Sequence, residues 1–333
     1  MKPMIRPPYL QAGDTIGIFS PSAPATAWIP ERTQLAAQYI EKCGFRVKYG
    51  SLSGRRAHYR SGSIRERAEE LNDLIRDPEV RCIMAASGGF VSNSLLPYID
   101  YRAIEKEPKI FVGYSDVTAI LLSIYAKTGL TTYYGPMMIS TLGEEAPFSS
   151  DSFEQFLRIA GGNIVLPYSY EKPLFWTDDS VGMEETGFHC ERHENKWITV
   201  RKGSAAGRLI GGNLNTLLGF FGTSYMPEIR KNDILMLEEN RQTPESIERS
   251  MSLLKNAGVF EKIGGLIIGK CADYKPAGTG LRPWEVMMEM LEEYDFPILA
   301  EFDSCHTRPM LTMPIGAEIL LDADAQAVVL TGM

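Results

Sequence analysis

The chain has 333 residues, a length that usually corresponds to about two domains. Apolar residues make up 44% of it and charged residues 23%, and the formal net charge is −8. This acidic balance gives no electrostatic reason to expect nucleic acid or an anionic membrane surface as a partner, and no apolar run is long enough to span a bilayer.

The five cysteines are typical of a reduced intracellular protein. Their number is odd and no two are spaced as C-x-x-C, so the chain lacks the pattern of a disulfide framework. Prolines at positions 3, 7 and 8 interrupt the apolar stretch that a signal peptide needs. We therefore expect a cytoplasmic protein.

Strand-like and helix-like segments alternate through the first half. Apolar, β-branched runs predict strands at 15–20, 45–49, 81–86 and 110–114, and helical spacing predicts helices at 30–42, 63–76 and 117–127. The second of these helices begins with a capping-box pattern, in which Ser63 is the N-cap and Glu66 follows three residues later. The alternation predicts a mostly parallel sheet covered by helices on both faces.

The middle of the chain differs from both halves. Residues 168–203 are rich in charged and aromatic side chains without a sustained period, which indicates a linker with a substrate-facing loop. The alternation then resumes. Strands are predicted at 233–237, 265–269 and 296–302, and helices end near 220 and span 244–255 and 283–291. A closing hairpin is predicted at 317–321 and 327–330. The predicted division is a domain at 1–165, a connecting segment at 166–203 and a domain at 204–333.

A serine stands at a strand-to-helix junction, in Gly113-Tyr114-Ser115-Asp116. Such a turn projects a hydroxyl above the strand ends, at the positive end of the helix dipole. Ligands of open α/β sheets bind at this edge. Ser115 is therefore a candidate nucleophile, and the alternative is an ordinary N-cap serine.

Two glycines close the preceding predicted strand, in Ser87-Gly88-Gly89-Phe90. Paired glycines let backbone N–H groups approach a ligand closely. Gly88, Gly89 and the N–H of Asp116 are candidates for an oxyanion hole, since the residue after a nucleophile commonly contributes one donor. The alternative is a plain turn between strand and helix.

Glu238 ends an apolar strand, and His306 is the one histidine that follows such a strand. The other three, at positions 58, 189 and 193, lie in charged or basic segments. Nucleophile, orienting acid and base thus occur in the order Ser115, Glu238, His306, which is the order of hydrolases with a strand-to-helix elbow. An ordinary loop acid and a structural histidine are the alternatives.

Other chemistries find less support in the residues. A nucleophilic pair of Cys305 and His306 is disfavoured because adjacent residues of a strand point to opposite faces. No H-E-x-x-H or His/Cys cluster suggests a metal. The GGNLNT segment that begins at Gly211 opens a helix and is a candidate anion site, but it lacks the lysine of a P-loop, so no nucleotide cofactor is predicted.

Several longer segments resemble one known family. They are AGDTIGIFSPSAP, GGFVSNSLLPYIDY, KIFVGYSDVTAILLSIYAKTGL, GRLIGGNLNT, ILMLEEN and DSCHTRPMLTMPIGA. In this order they resemble the LD-carboxypeptidase family of serine peptidases, and within it the microcin C self-immunity branch, over nearly the whole chain.

The resemblance implies a fold and a site. The fold is α/β, with an N-terminal three-layer, doubly wound (flavodoxin- or Rossmann-like) domain and a smaller C-terminal α/β domain with a mixed sheet. Ser115, Glu238 and His306 fall on the family's nucleophile, acid and base, and the oxyanion donors fall near Gly89 and on Asp116. Members are commonly homodimers and need no metal or cofactor.

The resemblance also implies substrate contacts and departures from them. The residues expected to contact the substrate are Trp176, Met183, Asn213 and Lys270. Immunity members carry a second tryptophan where Met183 stands, an acidic residue where Ala272 stands, and a lysine where Gln242 stands.

Three functions remain open from the sequence. The first is hydrolysis of an aminoacyl-nucleotide amide, as in immunity peptidases. The second is release of the terminal D-amino acid from cell-wall tetrapeptides. The third is a non-catalytic protein that binds a small peptide or an anion. A nucleic acid or a membrane is not expected as a partner.

Overall fold

The first half of the chain folds into a parallel sheet with helices on both faces. The computed structural model describes residues 3–143, 148–178 and 191–333. The strands of this half are β1 (Thr15–Phe19), β2 (Arg46–Tyr49), β3 (Val80–Ala85), β4 (Ile110–Gly113) and β5 (Thr132–Tyr134). The helices are α1 (Ala25–Trp28), α2 (Pro30–Lys42), α3 (Ile64–Arg76), α4 (Tyr101–Lys106), α5 (Thr118–Thr128) and α6 (Phe148–Ala160).

The five strands lie in the spatial order β2-β1-β3-β4-β5 and are all parallel. This is the doubly wound, flavodoxin-like order, whose direction of winding reverses between β1 and β3. The predicted three-layer domain is confirmed. The glycine loop follows β3 and the candidate nucleophile follows β4, so both lie at the carboxyl edge, where such folds bind ligands.

Local sequence signals account for several element boundaries. The Ser63 side chain accepts a hydrogen bond from the Glu66 N–H, and the Glu66 carboxylate accepts one from the Ser63 N–H, so the predicted capping box starts α3. Strand β1 is buried at all five positions. It shows no polar alternation because helices cover both of its faces.

The second half builds a mixed sheet. Its strands, counted from the middle of the chain, are β6 (Tyr168–Ser169), β7 (Phe175–Trp176), β8 (His193–Glu194), β9 (Ile198–Arg201), β10 (Ser204–Asn213), β11 (Ile234–Asn240), β12 (Gly265–Ala272), β13 (Ile298–Phe302), β14 (Met313–Ile315), β15 (Glu318–Asp322) and β16 (Ala327–Gly332). Its helices are α7 (Leu214–Leu218), α8 (Pro244–Asn256) and α9 (Pro283–Leu291). The order is β6-β16-β15-β10-β11-β12-β13-β9, with β10 to β13 parallel and the flanking pairs antiparallel.

Five strands lie where the sequence pattern predicted none. The segment interpreted as a linker contributes β6 and β9 to opposite edges of the second sheet, and β7 and β8 pair as a separate two-stranded sheet. Strand β14 leaves the second half and pairs antiparallel with β5 in the first sheet. Strands of two to four residues are too short to show a period.

The two halves meet closely at Gly212. A Cβ on this residue would lie 2.8 Å from Thr118 Cγ2 and 3.0 Å from Tyr134 Cε2, and its φ is 143°. Glycine is required here because a side chain has no space and the backbone conformation is one that L-residues rarely adopt. The next register pair, Asn213 and Glu238, is thereby held against the carboxyl edge of the first sheet.

The described residues include no helix that is both long and apolar enough to cross a membrane.

Candidate active site

Ser115 occupies a sharp turn between β4 and α5. Its φ is 60°, which is the left-handed region that serine rarely adopts. Its N–H donates to Tyr134 Oη at 3.1 Å, and its carbonyl accepts from Thr118 Oγ1 at 2.6 Å. A Cβ on Gly113 would lie 2.8 Å from Val117 Cγ1, so the tight turn needs a glycine there. A strained serine at the end of a central strand is the arrangement of a nucleophile elbow.

The glycine loop after β3 lies directly beside Ser115. A Cβ on Gly88 would lie 3.2 Å from Ser115 Oγ and 3.5 Å from the Asp116 nitrogen. Within the described part of the chain, the N–H groups of Gly89 and Asp116 donate to no acceptor. The structure therefore brings the predicted oxyanion residues together around the serine hydroxyl, with free backbone donors available.

Two side chains hold this glycine loop in place. Ser22 Oγ accepts hydrogen bonds from the N–H groups of Phe90 and Val91, at 3.0 and 3.1 Å. The Asp116 carboxylate accepts from Val91 and Ser92 at 3.1 and 3.0 Å. Asp116 thus uses its side chain to support the loop, while its N–H stays free.

Glu238 and His306 form a buried hydrogen-bonded pair. Glu238 Oε2 lies 2.6 Å from His306 Nδ1, and the Glu238 side chain is fully buried. An ionised carboxylate only accepts, so a neutral imidazole that pairs with it carries its hydrogen on Nδ1 and its lone pair on Nε2. The Tyr114 ring meets the imidazole edge-on, with 5.0 Å between centroids. The imidazole therefore has the tautomer and the support that a general base requires.

Tyr134 links the two halves of the site, and sequence reasoning did not identify it. Its hydroxyl donates to Glu238 Oε1 at 2.6 Å and accepts from the Ser115 N–H at 3.1 Å. Burial, followed by the nearby Glu238 charge, raises the pKa of Tyr134 well above its ordinary value. The phenol therefore stays protonated and keeps donating to Glu238. Its sequence signal was weak, because β5 has only three residues.

Ser115 and His306 are joined through Tyr134 and Glu238 rather than directly. No hydrogen bond between Ser115 Oγ and His306 is formed within the described residues. Hydrogen bonds between catalytic groups are often long in unliganded sites and shorten when substrate binds.

Asn213 supports the acid from the other side. Its Nδ2 donates to Glu238 Oε1 at 3.0 Å, and its Oδ1 accepts from the Thr216 N–H as the N-cap of α7. Both ends of this amide are therefore engaged within the protein. A direct contact between Asn213 and substrate stays a prediction.

Glu239, the neighbour of the acid, is also buried. Burial, followed by repulsion from Glu238, raises the pKa of Glu239 to about 8. Asn213 Nδ2 lies 3.5 Å from Glu239 Oε2, and the Asn215 N–H donates to its Oε1. Below this pKa the Glu239 carboxyl is mostly protonated, so it adds little negative charge beside Glu238.

Lys270 lies within a buried ion pair near the site. Its ammonium is 2.5 Å from Asp303 Oδ1 and donates to the Glu301 carbonyl at 2.6 Å. The other Asp303 oxygen accepts from Asn195 and Trp197. Two of the three ammonium hydrogens are used in this way, so one remains for a ligand.

Trp176 and Lys270 line one cavity of about 620 Å³. The Lys270 ammonium lies 5.6 Å from the centroid of the Trp176 ring. The same ring packs against His193, with 4.9 Å between the two ring centroids. Met183 lies outside the described residues. Contacts of these residues with substrate remain predictions.

Other residues that the sequence analysis considered for chemistry or substrate contact have their own surroundings in the structure. Cys305 is buried, and burial raises the pKa of its thiol to about 12, which leaves it a poor nucleophile. The Gln242 amide bonds Asn240 and Ser246 near its own loop. The described residues contain no group of three or more His, Cys, Asp or Glu side chains arranged to hold a metal.

Comparison with known proteins gives two family matches. The model of the LD-carboxypeptidase N-terminal domain matches residues 16–135, and that of the LD-carboxypeptidase C-terminal domain matches residues 206–321.

Full-length relatives are similar throughout. A putative carboxypeptidase of Vibrio cholerae is 49% identical over 315 residues, covering 95% of this chain and 94% of its own. The microcin C7 self-immunity protein of Escherichia coli is 43% identical over 331 residues, covering 99% and 96%. A solved structure of a microcin C7 self-immunity protein with aspartyl sulfamoyl adenosine superposes with a TM-score of 0.96 at 42% identity, covering 99% of each chain.

Removing the Tyr134 hydroxyl should slow the reaction of Ser115 without removing any group of the proposed triad. In Tyr134→Phe the Ser115 N–H loses its acceptor and Glu238 loses a donor, so we expect labelling of Ser115 by a fluorophosphonate to slow by roughly 10- to 100-fold. The matched control is Tyr133→Phe, since the neighbouring buried ring packs on Phe156 and its hydroxyl bonds no described residue. Equal labelling rates for both variants would show that the bridge does not matter.

Glu239 should make stability depend on pH. Its pKa is raised in the folded state, so its stabilising contribution is complete below about pH 4.5, the ordinary pKa of a glutamate, and is lost as pH rises towards about 8. Glu239→Gln should therefore melt higher than the wild type at pH 8.5, and close to it at pH 5, in thermal unfolding. A difference between the two proteins that does not change with pH would contradict this.

Proposed function

The chain belongs to the LD-carboxypeptidase family of peptidases, and from this membership we propose that it hydrolyses an amide bond with a Ser115–His306–Glu238 triad. The observation that carries the proposal is the continuous chain of hydrogen bonds from the strained Ser115, through Tyr134, to the paired Glu238 and His306. A binding protein has no need of a buried carboxylate that fixes one tautomer of an imidazole.

The reaction is acyl transfer to serine. His306 Nε2 takes the proton from Ser115 Oγ as the oxygen attacks the carbonyl carbon, and Glu238 stabilises the imidazolium. The proton then passes to the leaving nitrogen, and water, activated by the same imidazole, releases the acyl group. Strain at Ser115 presents the hydroxyl to the cleft before substrate arrives.

Backbone donors stabilise the tetrahedral oxyanion. The free N–H groups belong to Gly89, which follows the glycine beside Ser115 Oγ, and to Asp116, which follows Ser115 itself; each such donor lowers the barrier by about 3–4 kcal/mol. Gly88 leaves the space for them, since any side chain there would press on the nucleophile.

The proposed substrate is an amide that joins an amino acid to a nucleotide. Two findings support this choice: the 43% identity with a microcin C7 self-immunity protein over 99% of the chain, and the aspartyl sulfamoyl adenosine bound in a structure with a TM-score of 0.96. The cavity with Trp176 and Lys270 on its wall offers an aromatic face and a cation to such a ligand. The alternative substrate is a cell-wall tetrapeptide that is cleaved at its terminal D-amino acid, because the family is named for this carboxypeptidase reaction.

The test uses both substrates with one readout. The protein is incubated separately with aspartyl sulfamoyl adenosine and with a cell-wall tetrapeptide, and products are weighed by mass spectrometry. We expect aspartate and sulfamoyl adenosine from the first. Release of D-alanine alone would instead assign the tetrapeptide reaction.

Substitution of the nucleophile identifies its role. Ser115→Ala should keep the fold and lose roughly 10⁴-fold or more of the turnover, because no other group replaces the attacking oxygen. Ser123→Ala is the control, since the hydroxyl of that buried serine on α5 donates to the Ile120 carbonyl of its own helix. Wild-type turnover by Ser115→Ala would eliminate the triad.

A further inference from the structure

Arg67, on α3, is among the largest side chains that are fully buried in the described part of the chain. Its guanidinium donates to neutral oxygens, and no described carboxylate forms an ion pair with it. The acceptors are the carbonyls of Gly62, Pro21 and Val91, at 3.1, 2.5 and 3.3 Å, and the hydroxyl of Ser94, at 3.2 Å. A buried cation without a direct ion pair is costly, so its surroundings indicate what it stabilises.

Two of these carbonyls belong to the loops that meet beside the candidate oxyanion hole. Pro21 directly precedes Ser22, whose hydroxyl accepts a hydrogen bond from the Val91 N–H. The two loops touch at Gly89, where a Cβ would collide with Ser22 Oγ. Arg67 therefore bonds both loops, through Pro21 on one side of this contact and through the Val91 carbonyl on the other.

The peptide group between Val91 and Ser92 lies between Arg67 and a second buried ionisable group. Its carbonyl accepts from the Arg67 guanidinium at 3.3 Å, and its N–H donates to Asp116 Oδ2 at 3.0 Å. The Asp116 side chain is buried as well. Burial, followed by repulsion from Arg60, lowers the pKa of Arg67, and attraction to Asp116 opposes this. The guanidinium and the carboxylate thus interact through one polarised peptide group.

The Asp116 carboxylate belongs to the same residue as one of the candidate oxyanion donors. Two backbone N–H groups, those of Val91 and Ser92, donate to it and favour its ionised form. Taken alone, its negative charge opposes the negative charge that would develop on the oxygen held by the Asp116 N–H. A buried guanidinium on the far side of the same peptide group offsets that charge, and the low local dielectric makes the effect larger than in water.

We propose that Arg67 is a positioning residue for the oxyanion hole, which fixes the glycine loop against the loop after β1 and offsets the charge of Asp116. This rests on the proposed function, because an oxyanion forms only if Ser115 attacks its substrate. Arg67 acts through Val91 and Asp116 and does not itself contact the reacting atoms.

The test measures how fast Ser115 reacts with a fluorophosphonate, whose phosphoryl oxygen takes the place of the oxyanion. Arg67→Lys keeps the charge without the planar fork of donors, and Arg67→Met removes both. We expect the maximal rate constant of labelling to fall by roughly 3- to 10-fold in the first variant and roughly 10- to 100-fold in the second. The half-saturating concentration of the probe should stay within about threefold, because the oxyanion forms only after the probe is bound.

Lys109→Met is the matched control. Lys109 is another fully buried cation of the first sheet, and it also donates to main-chain carbonyls, those of Leu74 and Asp77. It directly precedes β4 and so lies at the amino edge of the sheet, opposite the edge that carries Ser115. This variant should lower the thermal midpoint but leave the labelling rate unchanged, which separates a loss of stability from a loss of rate.

A second substitution tests the charge. In Arg67→Met the Asp116 charge is no longer offset, so adding Asp116→Asn, which keeps the N–H, should speed labelling by roughly threefold or more over Arg67→Met. A purely structural role of Arg67 makes the double variant slower than either single variant, because two supports of the loop are then lost. A double variant no faster than Arg67→Met would therefore overturn the proposal.

The other outcomes are equally distinct. Wild-type rate constants in folded Arg67→Lys and Arg67→Met, or a loss confined to the half-saturating concentration, would overturn the role of Arg67 and leave the triad standing. If Arg67→Met does not fold, the rate constant of Arg67→Lys decides alone. If the wild type is not labelled at Ser115, the proposed triad is wrong and the oxyanion role of Arg67 is wrong with it.

Discussion

A single buried phenol connects the two halves of the candidate active site. Tyr134 ends the last parallel strand of the first sheet, and its hydroxyl holds both the backbone of Ser115 and the carboxylate of Glu238, which belongs to the second sheet. The close approach at Gly212 brings the sheets near enough for this contact. Because neither sheet carries the full set of reacting groups, the chemistry depends on how accurately the two are docked.

Two residues with a strained backbone lie at or near the carboxyl ends of parallel strands. Ser115 and Glu301 each adopt a positive φ there. The surrounding bonds explain how these conformations persist: Tyr134 and Thr118 hold the serine, and Lys270 holds the carbonyl of the glutamate. Rigid strands provide the support that loops alone lack.

The sequence predicted the long, periodic elements and the residues at the ends of apolar strands. The capping box at Ser63, the parallel order of the first sheet and the meeting of Glu238 with His306 were all accessible from pattern and motif. Tyr134 was not, because a tyrosine in a three-residue strand gives no sign of the carboxylate that it meets 104 residues later. The bond between Lys270 and Asp303 and the bulge at Glu301 also depend on register between distant strands, which local pattern does not encode.

Strand β14 also constrains the order in which the chain can assemble. It lies near the carboxyl terminus, yet Met313 pairs with Tyr134 and completes the edge of the first sheet. During synthesis, the amino-terminal half leaves the ribosome long before this strand exists. The half that carries the serine therefore keeps an open sheet edge until residues 313–315 have been translated, and a chain that stops before them cannot complete this edge.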